Sequence, residues 1–122
     1  MKDERAYLLH AIEAIDAIFS YTVDGSEAFF SDGKTQDAVI RNIEIIGQAV
    51  KGISDRTRAL EPAVPWRQIA GMRDKLIHEY FGVDLALVWD VVERELPTLR
   101  PQLEKLSRHL ADSTSSENRP AS

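Results

Sequence analysis

One short run of the chain, Arg73-Asp74-Lys75-Leu76-Ile77-His78-Glu79-Tyr80, gathers an arginine, a histidine and a tyrosine within eight positions. Arginine supplies a permanent forked cation that matches a phosphate, and histidine both takes and gives a proton near neutral pH. RNA carries its own nucleophile, the 2′-hydroxyl. A protein that cleaves it has to deprotonate that hydroxyl, stabilise the phosphorane-like transition state and protonate the leaving 5′-oxygen. His78 suits the proton transfers, a role worth about 10²–10⁴-fold. Arg73 suits the non-bridging oxygens, where a preorganised cation contributes on the order of 10²–10³-fold. Asp74 could orient the imidazole, and Lys75 adds a phosphate contact. On spacing alone the same residues read as readily, or more so, as a structural hydrogen-bond set at a helix end.

The elements that must hold these groups are helices. Leu8, Ile12, Ile15 and Phe19 predict one helix from about 4 to 21. Asp24-Gly25 and Ser31-Asp32-Gly33 punctuate a loop around Phe29 and Phe30, and Thr35 is the candidate N-cap of the second helix. There Val39, Ile43, Ile46, Val50 and Ile53 form a stripe, with Ile40, Ile45 and Ala49 outside it, so this helix is deeply buried or shared with a partner. Gly47 in its middle weakens it unless a neighbouring backbone packs close. Gly52 ends it, and Ser54 caps a short turn. Pro65 opens a third helix through Trp66, Ile69, Met72, Leu76 and Ile77, with Gly82 as its stop. Asp84 caps a fourth, kinked or restarted at Pro97, whose stripe continues to Leu110.

On an uninterrupted third helix Asp74 and His78 share a face, whereas Arg73 and His78 stand about 140° apart. That geometry favours a cleft, or a site assembled from two copies around a two-fold axis. Trp66 and Trp89 read as core or interface anchors, and His10 and His109 as solvated. Arg41, Asn42 and Glu44 read equally well as surface neighbours or as part of the site.

Composition narrows the class. The 122 residues, with no cysteine, make one helical domain over 1–110 followed by a polar tail, 111–122, expected to be disordered. Disulfides and thiolate metal sites are excluded, and the three histidines are too scattered for a metal pair, so no metal or cofactor is expected. No signal-like or bilayer-length apolar run occurs, which predicts a cytoplasmic protein without a membrane partner. The net charge of −5 argues against a general nucleic-acid binder. Its distribution softens that: 1–40 carries −5 and 76–122 carries −3, while 41–75 carries +3 beside the candidate motif.

The spacing Arg-x4-His-x-Tyr, with Asp74 after the Arg, resembles the signature of the HepT-like toxins of the HEPN superfamily. Support extends beyond it. Thr35-Gln36-Asp37-Ala38-Val39-Ile40-Arg41-Asn42-Ile43-Glu44-Ile45-Ile46-Gly47-Gln48-Ala49 is similar to that family's second helix, and Pro65-Trp66-Arg67-Gln68-Ile69-Ala70-Gly71-Met72 to the lead-in of its active-site helix. Val88-Trp89-Asp90-Val91-Val92, with Leu96-Pro97 after it, is similar to its fourth helix. Gln48 departs from the family, whose members commonly carry Glu there. The resemblance implies an all-α HEPN bundle of four to five up-and-down helices, a homodimer with paired motifs in a cleft, and metal-independent endoribonuclease activity. It also implies a toxin–antitoxin role with a minimal nucleotidyltransferase as partner, which in some relatives transfers AMP to the motif tyrosine, here Tyr80. Arg41 and Lys75 are the expected RNA contacts. The alternative reading is a non-catalytic module that docks the nucleotidyltransferase or binds nucleotide.

Overall fold

The computed structural model describes residues 3–78 and 82–117, with the side chains of 77, 78 and 113–117 outside the description. Three long helices make the scaffold: α1 (Glu4–Tyr21), α3 (Gly33–Lys51) and α8 (Leu96–Glu117). They pack through Leu8, Ile15 and Ile18 of α1, Val39, Ile43 and Ile46 of α3, and Leu99, Leu103 and Leu106 of α8, all at most 4% exposed. The expected all-α bundle is therefore present, and the apolar stripes read from spacing are buried except at Phe19 and Leu110, which are half-buried against the core. Helical backbone continues past Leu110 to Glu117, into the segment expected as a tail. Among the described residues no helix is long and apolar enough to cross a membrane.

Four elements differ from expectation. The predicted loop at 24–33 contains a helix, α2 (Gly25–Ser31). Phe29 is 1% exposed and meets Trp89 with ring centroids 5.2 Å apart, so tertiary burial of one aromatic overrides a turn-rich composition. Asp32, not Thr35, caps α3, accepting from the Lys34 backbone N–H at 3.0 Å while Thr35 donates its hydroxyl to the same carboxylate. The third helix is not continuous: α5 (Trp66–Ala70) and α6 (Met72–Leu76) are separated by Gly71. The buried stripe Trp66, Ile69, Met72, Leu76 survives that break.

Gly82 is not a helix stop. It belongs to β2 (Gly82–Val83), which pairs antiparallel with β1 (Ile77–His78), and its φ of +78° is the left-handed conformation that suits glycine. The Asp84 N–H donates to the Leu76 carbonyl at 2.9 Å, closing the end of α6, and the Asp84 side chain caps α7 (Leu85–Asp90). A π-helical turn, Val91–Glu95, then runs into α8 with no break in the helical backbone, so Pro97 does not end the helix, and its missing N–H falls directly after the widened turn.

The remaining short helix, α4 (Asp55–Arg58), is capped by Ser54 as expected. It sets the start of α5. The Trp66 indole N–H donates to the Arg58 and Glu61 carbonyls at 3.2 and 3.1 Å, and Arg58 in turn donates to the Val50 carbonyl at 2.9 Å. These bonds tie the end of α3 to the helix that precedes the motif.

Candidate active-site groove

α5 and α6 lie across α3, and Gly47 is what lets them come close. A Cβ placed there would stand 3.3 Å from the Ile69 carbonyl oxygen and 3.5 Å from that of Ala70. The glycine that looked unfavourable in mid-helix is thus repaid by backbone-to-backbone packing. Beside this contact opens a polar groove of about 430 Å³, walled by Arg41, Glu44, Gln48 and Lys51 of α3 and by Ala70, Arg73 and Asp74 opposite.

Arg73 lines the groove from the α6 side. Its Nε is 3.2 Å from Glu44 Oε1, and its Nη1 is 3.6 Å from Asp74 Oδ1. The arginine side chain is 54% exposed and Glu44 39%, so the pair is wet and of small energetic worth. Its value is directional. With Glu44 on the Nε edge and Asp74 beside Nη1, Nη2 is the group that neither carboxylate engages, and its N–H groups are the ones an incoming anion meets first. Glu44 is one of three α3 residues, with Arg41 and Asn42, that sequence reasoning left undecided. The signal lay in its three-residue offset from Arg41 on the one polar face of an otherwise apolar helix.

The sequence-selected residues do not all converge. Arg41, Arg73 and Asp74 line the groove together. Lys75 does not; it lines a separate cavity of about 460 Å³ on the other side of α6, with Met72, Leu76, Val91 and Arg94. Adjacent-but-one residues on a helix point about 200° apart, which is why Arg73 and Lys75 part company. His78 cannot share a helical face with Asp74, because α6 ends at Leu76 and the His78 backbone lies in β1, opposite Gly82. The 140° angle expected between Arg73 and His78 lapses for the same reason. The strand carries the chain directly from the Arg73 helix to His78. The His78 side chain and the whole of Tyr80 lie outside the described residues. Among the described residues no three His, Asp or Glu side chains form a metal-binding cluster. His10 and His109 are exposed, as expected, and Trp66 is buried.

Known proteins resemble this chain. The family model described as "Ribonuclease HepT-like" matches residues 11–106. A "Probable ribonuclease HepT" of Thermococcus cleftensis is 45% identical over 108 residues, covering 88% of this chain and 98% of the relative. A "Gamma-glutamylcyclotransferase and putative RNase" of Methanocaldococcus jannaschii is 46% identical over 110 residues, 89% of this chain; the chain spans about half, 50%, of that longer relative. A "Putative RNase" of Caldanaerobacter subterraneus subsp. tengcongensis is 40% identical over 107 residues, covering 87% of this chain and 96% of the relative. No solved structure matches it.

Proposed function

Because this chain belongs to the ribonuclease HepT-like family, we propose that it is a metal-independent endoribonuclease, the toxin of a toxin–antitoxin pair. The observation that carries the reading is Arg73, exposed in the lining of a polar groove, oriented through Nε by Glu44, and followed within two residues of the end of α6 by the strand that bears His78. Arg73 holds the non-bridging oxygens of the scissile phosphate. His78 acts as general base on the 2′-hydroxyl or as general acid on the leaving 5′-oxygen, and a two-fold partner's motif supplies the complementary proton transfer. In this reading the working unit is a homodimer. No step calls for a metal, since the nucleophile comes with the substrate.

The cognate partner in this reading is a minimal nucleotidyltransferase that transfers AMP to Tyr80. Transfer joins the Tyr80 phenolic oxygen to the α-phosphorus of ATP, releases pyrophosphate and gives up the phenolic proton to solvent. An added phosphate diester within the motif brings negative charge that competes with RNA phosphate for Arg73 and repels RNA.

The test is cleavage of single-stranded RNA by purified protein in excess EDTA, with His78→Ala prepared identically. Cleavage by the wild type is expected, with a drop of about 10²–10⁴-fold in the variant. Incubation with the partner and ATP should add one AMP to wild type and none to Tyr80→Phe. Equal cleavage by wild type and His78→Ala would dismiss the assigned histidine. A folded, unmodified wild type that cleaves no RNA would favour a docking module for the nucleotidyltransferase instead.

A further inference from the structure

The α3 wall of the groove holds two cations, Arg41 and Lys51, that the clamp of Arg73 on one phosphate does not use. Arg41, Glu44, Gln48 and Lys51 follow one another at spacings of three, four and three, which keeps them within about 80° of each other around the helix. Arg41, Gln48 and Lys51 are exposed. Glu44 is engaged with Arg73. Among the described residues neither Arg41 nor Lys51 has a carboxylate within 4.0 Å.

The two unpaired cations therefore flank a paired one. Arg41 and Lys51 are ten residues apart, about 15 Å along the axis. Glu44, with Arg73 held against it, falls between them, about 4.5 Å from the first and about 10.5 Å from the second. Ile45, 38% exposed, also borders the groove and offers an apolar contact to a sugar or base. A polar channel with cations at both ends and an oriented arginine between them has the layout of a backbone-tracking site for single-stranded nucleic acid.

We propose that Arg41 and Lys51 are phosphate subsites on either side of Arg73, so that the groove along α3 takes an extended single strand of RNA spanning several consecutive phosphates. This rests on the reading of the chain as a ribonuclease and deepens it: Lys51 becomes a substrate-positioning residue, and the substrate class is single-stranded RNA rather than a duplex or a mononucleotide. Glu44 orients Arg73 for the central phosphate, and Arg41 and Lys51 extend positive charge to either side of it. Lys51 also stands in the last turn of α3, where a cation favours the helix dipole; that role predicts an effect on stability and none on RNA.

The experiment measures binding of a short labelled oligouridylate to the full chain carrying His78→Ala, which prevents cleavage, across a series of salt concentrations. Adding Lys51→Ala or Arg41→Ala should each weaken binding on the order of 3- to 10-fold at low salt and reduce the log–log salt slope by about 0.7. Lys51→Arg should retain binding and Lys51→Gln should weaken it as Lys51→Ala does, which separates charge from a structural contribution. Lys105→Ala on α8, outside the groove, should bind as the parent does. In the otherwise wild-type chain Lys51→Ala should raise KM and leave kcat in place. If Lys51→Ala and Arg41→Ala bind like the parent while His78-dependent cleavage persists, the subsites fall and the ribonuclease reading stands. If the parent neither binds nor cleaves RNA, both fall. Binding of duplex RNA as tight as that of the single strand would overturn the assigned substrate class.

Discussion

The scaffold and the motif segment are built from elements of very different length. α1, α3 and α8 run for 18, 19 and 22 residues, whereas the described residues from 66 to 83 are shared among two helices of five residues and two strands of two. A long helix draws its stability from a stripe repeated over several turns. Short elements cannot, and the motif segment is instead pinned from outside: by Trp66 through its indole N–H, by the carbonyls of Ile69 and Ala70 against Gly47, and by the Asp84 N–H at the end of α6. The division separates what holds the fold from what does the chemistry. Arg73 and Asp74 are free to be polar and exposed because the residues around them, Met72 and Leu76, carry the packing.

The sharpest way to break that division is Arg73→Ala. The side chain is half exposed and its ion pairs are wet, so the urea midpoint should stay within about 0.5 kcal/mol of wild type. RNA cleavage should fall by about 10²–10³-fold, the loss expected when a preorganised donor to developing charge is removed. Parallel denaturation and single-turnover cleavage decide it. A variant that unfolds early would mean that the motif arginine supports the fold, and the two regions would not be separable in this way.

Gly47→Ala probes the seam between them. Alanine improves the intrinsic helix propensity of α3 by about 1 kcal/mol, yet its Cβ meets two backbone carbonyls that cannot rotate aside as a side chain would. The clash should win, lowering stability by about 1 kcal/mol net, and displacement of α5 and α6 should reduce cleavage several-fold as Arg73 leaves Glu44. A gain in stability with full activity would show that the two backbones have room to part.

What was legible in the sequence follows the same division. The stripes of α1, α3 and α8, the Ser54 and Asp84 caps and the end of α3 at Gly52 are local or periodic signals, and they place those elements correctly. The motif helix failed where periodicity is blind. Trp66, Ile69, Met72 and Leu76 keep helical spacing through Gly71, so the break leaves no trace in the pattern. The end at Leu76 depends on a partner six residues on, since Ile77 and His78 are strand only because Gly82 and Val83 pair with them. The β-branched Ile77 and the Gly82-Val83-Asp84 run were the available hints of a hairpin. Phe29 taught the same lesson at α2, where burial against Trp89 prevails over loop composition. In the groove, Arg73, Arg41 and Asp74 were foreseen as neighbours of one site, but the Glu44 pair needs the packing of two helices and could not be read from either alone.

The smallest effect expected belongs to the scaffold and concerns protons rather than RNA. The Glu4 carboxylate accepts hydrogen bonds from the Thr57 hydroxyl and the Ser54 backbone N–H, joining the first turn of α1 to the cap of α4. Burial pushes its pKa up, but those hydrogen bonds outweigh burial and hold it below the ordinary value of 4.5. Between the folded and unfolded values the unfolded chain binds more protons, so stability rises with pH there. The contribution is complete above 4.5 and is lost as pH falls through the depressed folded value. Glu4→Gln removes the titrating group while keeping its shape. Wild type should exceed it in urea midpoint at neutral pH, and the gap should close as the solution is made more acidic than 4.5. RNA cleavage at neutral pH should be untouched, because none of Glu4, Ser54 and Thr57 lines the groove. A gap that stays constant with pH would mean that Glu4 acts through packing alone, and a loss of cleavage would tie the scaffold to the site more tightly than their separate hydrogen-bond sets imply.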